Sequence, residues 1–240
     1  MHLCLIGKLY FPIGQRRTQF VGFFLIGVIQ LLHDILHFFG RAICHQIEDR
    51  SLQASGETLS ICARDTGIYI GIFSTLAYLH LFKRKAKITI PSIKISLFLL
   101  LLVVPMIIDG LGSYIHLFES NNARRLVSGT SFGFGLPYFL YPLLSANSLE
   151  ASSEPVIKHG RDLFAPLFLS CGLGGLVFWE WLPYYLLDGF IILTVIVWFS
   201  LCASFLFSWV DRTWLRSAFS IFCGLIFLTM LSLLHGLVSP

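Results

Sequence analysis

The sequence predicts an all-α fold: a polytopic transmembrane bundle of about seven helices, N-terminus in and C-terminus out. Three observations predict it. Of 240 residues, 56% are hydrophobic and only 12% charged, with a mean hydropathy of +0.79, whereas soluble domains carry about 25% charged residues. The apolar residues fall in runs long enough to cross a hydrocarbon core, which takes about 20 residues as helix. The basic residues gather on alternate loops, the bias that sets membrane topology.

Seven spans follow in order: Thr18–Gly40, Gly67–Phe82, Ile95–Phe118, Leu126–Leu144, Leu163–Trp181, Leu186–Ser208 and Ser217–Val238. Lipid offers backbone groups no partners, so each run reads as helix rather than open strand. The second is short, and the fifth and sixth are joined by a tight turn around Pro183. With the N-terminus in the cytoplasm, the inner segments hold Lys8, Arg16, Arg17, Lys83, Arg84, Lys85, Lys87, Lys94, Lys158, Arg161, Arg212 and Arg216. The outer side keeps only Arg41, Arg50, Arg64, Arg124 and Arg125. Nine of the 13 acids and five of the eight histidines fall in the outer half. The stretch 145–155, SANSLEASSEP, reads as a flexible inner loop. No cleavable signal peptide is evident: residues 1–17 lack a small-residue cleavage site. No internal repeat supports an inverted-repeat transporter. The expectation is one integral domain over 1–240, in the inner (cytoplasmic) membrane, with the bilayer and not nucleic acid as its surroundings; the oligomeric state is left open.

Chemistry concentrates in two outer patches, CHQIEDRS (44–51) and CARDTGIYIG (62–71). Cys44, His45, Cys62 and Asp65 offer sulfur, nitrogen and oxygen donors of the kind zinc takes. A Cys44–Cys62 disulfide, favoured in an oxidising compartment, and free thiols are the alternatives. Asp65 or Thr66 also suits the N-terminus of the second span as a cap and as a charge on the helix dipole. His33 and His37, four residues apart on one helical face, resemble a metalloprotease helix with Asp34 for Glu. A polar stripe packed on neighbouring helices is the plainer reading, and Arg41, Cys44 and His45 continue it if the helix runs on.

Asp109 lies nine residues from the outer end of the third span, about 13 Å deep at 1.5 Å per residue. A charge there costs on the order of 3 kcal/mol, so it needs a partner, and Arg64 or Arg125 is placed to supply it. Glu119, Asn122, Arg124 and Arg125 open the fourth span. The two arginines could hold an anion such as a lipid phosphate, or simply pair with Glu119 and Asp109. Gly67/Gly71, Gly129/Gly133 and Gly172 with Gly174-Gly175 read as small-residue stripes for close helix packing.

Cys44-His45-Gln46, Arg50-Ser51, Cys62-Ala63-Arg64, Thr66-Gly67-Ile68-Tyr69 and Gly71, then Pro105-Met106 with Asp109-Gly110, then Glu119-Ser120, Asn122, Arg125 and Gly129, resemble domain of unknown function 2085, a family of prokaryotic membrane proteins. The resemblance covers about residues 44–129; the helical part at 163–238 is less diagnostic. Asp65 stands where the family usually has cysteine, Glu48-Asp49 where it has Pro-Glu, and Ser128 where it has threonine. The resemblance implies a membrane location and assigns no activity.

Three functions remain open from sequence. One is an outward-facing membrane enzyme acting on a lipid or lipid-linked, anionic substrate, with Asp109 and His45 as acid/base candidates and Arg64 and Arg125 as anion clamps. The second is a non-catalytic protein whose outer cluster is a disulfide or ion-pair clasp. The third is a metal- or proton-coupled transporter using Asp109, which the nearly uncharged inner halves of the spans count against.

Overall fold

The computed structural model describes residues 13–84, 87–144, 153–210 and 212–238. Cys4, Lys8, Lys85, Asp211 and the 145–152 part of the inner loop lie outside them. Two units divide the chain, Met1–Ile35 and Leu36–Pro240. In the first, the described part is helix, the beginning of α1 (Ile13–Arg41), where the Gln30 amide donates to Asp34 at 3.2 Å.

In the second unit α1 ends and a hairpin follows, β1 (Ser51–Ala54) and β2 (Glu57–Cys62). The two turn residues, Ser55 and Gly56, both have positive φ (54° and 83°), the conformation whose twist matches paired strands. Leu52, Ala54, Leu59 and Ile61 are buried. Helices α2 (Ala63–Lys83), α3 (Ile93–Leu101), α4 (Val104–Tyr114), α5 (Asn122–Leu143), α6 (Arg161–Phe178), α7 (Tyr184–Ala203) and α8 (Thr213–Val238) complete the helical set. All seven predicted segments are therefore helical. The third is broken: Pro105, near the start of α4, has no N–H and its ring crowds the carbonyl four residues back, so Leu102 and Val103 form a turn.

Among the described residues, four helical stretches are long and apolar enough to cross a membrane: Ile93–Tyr114, Arg161–Phe178, Tyr184–Ala203 and Thr213–Val238. Their exposed faces carry Leu, Ile, Val and Phe, which suits lipid rather than water. Helices α2 and α5 form the most extensive helix pair and are less apolar, because small and polar residues fill their shared face.

Glycine makes that contact. A methyl on Gly71 would lie 2.5 Å from the Phe134 amide nitrogen, and one on Gly67 would meet the Leu126 carbonyl. From the other side, Gly129 faces the Arg64 carbonyl and Gly133 the Ile68 carbonyl, each closer still. Thr75 adds a hydrogen bond to the Phe134 carbonyl (3.0 Å), beside the turn that Pro137 loosens. The third predicted glycine stripe is not a packing stripe. Gly172 and Gly174 face open space, and Gly175 meets only the Trp179 ring.

At the Lys83 end of α2, Asp162 is buried and its carboxylate accepts from Tyr78 Oη (2.7 Å), Lys83 Nζ (3.0 Å) and the backbone N–H groups of Lys158 (2.9 Å) and His159 (3.0 Å). A short parallel pair, β3 (Ile88–Thr89) with β4 (Glu154–Pro155), closes the same end. With four donors on its carboxylate, Asp162 reads as a structural knot.

Candidate functional site

The site lies at the Cys62 end of α2, where the end of α1, the hairpin, α4, α5 and α7 supply side chains. Helix α1 stops at Arg41, and the Cys44 N–H bonds back to the Gly40 carbonyl at 3.0 Å. Cys44 and His45 therefore leave the helix rather than extend its polar stripe. Gly40 lets β2 come close: a methyl there would lie 2.5 Å from the Ser60 carbonyl oxygen. Gln46, at φ 55°, latches the joint by donating to the carbonyls of His37 (2.9 Å) and Ser60 (3.0 Å).

That path sets Cys44 against the end of β2. Its Sγ accepts the Cys62 N–H at 3.1 Å, and the Cys62 thiol donates to Asp65 Oδ2 at 3.1 Å. One ligand atom from each of Cys44, Cys62 and Asp65 lies within 4.8 Å of the others. Cys44 is buried; Cys62 and Asp65 are half-buried. Both cysteines are free thiols. Their shared hydrogen bond holds the Cys44 thiol below the ordinary range and, with burial and the Asp65 charge, pushes Cys62 above it. Cys62, not Asp65 or Thr66, holds the N-cap position of α2, without a side-chain capping bond. Asp65 sits one turn in, where its charge still favours the helix N-terminus.

His45 does not join this group. It is exposed and packs edge-on against His235, ring centroids 4.5 Å apart. His33 is half-buried in the first unit. His37 is half-buried, with Nε2 3.2 Å from the Tyr184 hydroxyl. Tyr184 reaches Asp188 (3.3 Å), which is fully buried and accepts from the Ser60 N–H (3.2 Å) and hydroxyl (2.8 Å). Asp188 thus ties β2 to α7. Sequence reading counted it only among the outer acids, since nothing local to α7 points to Ser60.

The second half of the site is an arginine group around one acid. Arg64 Nη2 meets Asp109 Oδ2 at 2.5 Å, and the Ser120 hydroxyl takes Oδ1 at 2.5 Å. Arg124 Nε stands 3.9 Å from Oδ1 while its guanidinium covers the Phe118 ring at 4.3 Å. Of the two partners expected for Asp109, Arg64 is the one bonded. Helix α4 ends at Tyr114, so Asp109 is five residues, or about 8 Å, from the helix end, shallower than a helix to Phe118 would put it. Glu119 is exposed and outside these contacts.

Arg125 is half-buried and donates to the neutral Asn122 Oδ1 at 3.1 Å; Asn122 is fixed by the Ser51 carbonyl (3.0 Å). Asn121 caps α5 through the Arg124 N–H at 2.8 Å. Arg125 is partly desolvated by burial, and Arg50 and Arg64 stand close enough to repel its charge, opposed by Asp109. Arg64 Nε is shut off from solvent, with no acceptor among the described residues. Arg64, Arg124 and Arg125 thus share Asp109, whose two oxygens already accept from Arg64 and Ser120. Beside it, Val104, Pro105, Ile108, Ala123 and Val127 line an apolar cavity of about 530 Å³ between α4 and α5, with Asp109 and Arg124 also on its wall.

A family model described as "Predicted membrane protein (DUF2085)" matches residues 44–139, the stretch holding the cysteines, the arginine group and the α2–α5 glycines. An uncharacterized protein of Methanothermobacter thermautotrophicus is 38% identical over 96 residues, 40% of this chain and 82% of that protein. An uncharacterized protein of Methanocaldococcus jannaschii is 32% identical over 101 residues, 42% of this chain; the chain spans 63% of that relative's length. No solved structure matches.

Proposed function

Because the chain belongs to the DUF2085 family of predicted membrane proteins, we propose that it is a polytopic protein of the cell membrane that seats an anionic lipid, or a lipid-linked molecule, at its polar end. The observation that carries this reading is Arg125: a half-buried cation beside Arg50 and Arg64, hydrogen-bonded among the described residues to a neutral amide and attracted by an Asp109 that Arg64 already pairs. A partly desolvated cluster of like charges is costly, and a phosphate is the ligand that arginine forks match best. The apolar cavity between α4 and α5 supports a lipid over a free anion, since an acyl chain fits where charged solutes do not.

The arginine end then faces the non-cytoplasmic side, in keeping with the lysine-rich segment around Lys83–Lys94 facing inward. An impermeant reporter inserted between Lys83 and Lys87 is expected to be protected in intact cells and to react only after permeabilisation; labelling in intact cells would reverse the orientation.

For binding, the purified protein is tested with phosphatidylglycerol, phosphatidylcholine and inorganic phosphate. Phosphatidylglycerol is expected to raise the melting temperature more than the other two. Arg125→Gln should weaken its binding about tenfold or more, since hydrogen bonds to charged groups are worth about 1.5–3 kcal/mol. Equal responses to the two lipids, unchanged by Arg125→Gln, would remove the reading.

A second reading is favoured at one residue. Both Asp109 oxygens are engaged by Arg64 and Ser120, which makes this carboxylate a clasp between α2 and α4 rather than a free acid or base.

A further inference from the structure

We propose that Cys44, Cys62 and Asp65 bind a thiophilic divalent metal ion, zinc(II) by their donor set, and leave its fourth coordination position open. The three donors come from separate pieces of chain: the loop after α1, the last residue of β2 and the first turn of α2. Yet their ligand atoms lie within 4.8 Å of one another. Around a tetrahedral zinc, with bonds of about 2.0–2.3 Å, such atoms stand about 3.5–3.8 Å apart. Closing that gap takes shifts of about 1 Å or less per side chain, within the reach of χ rotations.

The supports are rigid. Gly40 and Gln46 fix the Cys44 loop against β2, and Cys62 and Asp65 stand at the N-cap and first turn of one helix. The Cys62 N–H aimed at Cys44 Sγ is a contact that persists when the sulfur is a thiolate ligand, and such outer contacts orient metal sites. Asp65 has no arginine or lysine ion pair among the described residues; its bonded partner is the Cys62 thiol. Arg64 and His45 act on this half-buried carboxylate without bonding it; a metal ion would be its direct cationic partner.

Binding releases the two thiol protons to solvent. A doubly charged ion with two thiolates and a carboxylate leaves one net negative charge, beside Arg64 in the first turn of α2. Three protein ligands and one open position is the arrangement of zinc sites that bind a water or substrate, not of closed structural ones. His45, turned onto His235, is outside the set.

The test uses the purified full chain, with elemental analysis, thiol counting in denaturant, and cobalt(II) replacing zinc after chelation. Close to one zinc per chain is expected, with both thiols recovered, and cobalt should restore the stoichiometry with a thiolate-to-cobalt charge-transfer band. His45→Ala should keep that band at full intensity and Cys62→Ser cut it to half or less. Asp65→Asn, which preserves size, should weaken cobalt binding about tenfold or more, since even outer-shell losses cost about 10–100-fold. Reduced protein that takes up neither zinc nor cobalt would overturn the site, as would a cobalt complex without the sulfur band or a metal-free protein isolated with a Cys44–Cys62 disulfide. Lipid discrimination through Arg125 is read separately, so either proposal can fail alone.

Discussion

Gly129→Ala is expected to prevent the protein from folding stably, while Gly174→Ala leaves it unharmed. Both changes add one methyl to a helical glycine. On Gly129 the new carbon meets the Arg64 carbonyl oxygen, with Ile68 N at 3.2 Å behind it. Neither is the movable end of a side chain, so relief requires α2 and α5 to part. Overpacking of this kind costs about 1–3 kcal/mol where side chains can give way, and more is expected where only backbone is in the way. Separation would also loosen the contacts at Gly67, Gly71 and Gly133, all on the same seam. At Gly174 nothing lies within 4 Å, and alanine gains about 1 kcal/mol of helix propensity over glycine. Thermal unfolding and monodisperse yield in detergent check the pair. Equal melting temperatures for Gly129→Ala and the wild type, or equal damage from Gly174→Ala, would show that α2 and α5 do not meet through glycine.

The contrast also marks how far the sequence could be read. Hydropathy located the helices, because apolar length is a local property and the bilayer demands it of each segment. What it missed depends on partners far along the chain. Gly172 and Gly174 have the same local pattern as Gly129 and Gly133, and only the neighbouring helix distinguishes a seam from an open face. The hairpin was hidden because charged residues at 48–50 and 57 mask the alternation of Leu52, Ala54, Leu59 and Ile61, although Ser55-Gly56 is a recognisable turn. The break at Leu102–Val103 was implicit in Pro105, which drew attention as part of a motif rather than as a missing donor. Asp188 and Asp162 read as ordinary loop-side charges; Ser60 and Tyr78, 128 and 84 residues away in sequence, make them anchors. Asp109 was found because depth alone demands a partner, and Arg64 answers that demand.

Replacing that acid gives the second large effect. Asp109→Asn is expected to destabilise the protein by about 3–5 kcal/mol, the usual consequence of leaving one member of a buried ion pair alone. The asparagine keeps the size and one acceptor for Ser120, so the change is chiefly electrostatic. It leaves Arg64, whose side chain is 22% exposed and whose Nε already lacks an acceptor, facing Arg124 and Arg125 without an intervening anion. Two further measurements separate this from a catalytic role. The double variant Asp109→Asn with Arg64→Met should recover much of the lost stability, because neutral replacements for both partners of a buried pair are often tolerated. Phosphatidylglycerol should stabilise Asp109→Asn more than the wild type, since a bound phosphate then supplies the charge the carboxylate did. An Asp109→Asn protein with wild-type melting behaviour and no added response to the anionic lipid would mean that the arginines neither depend on this acid nor await an anion.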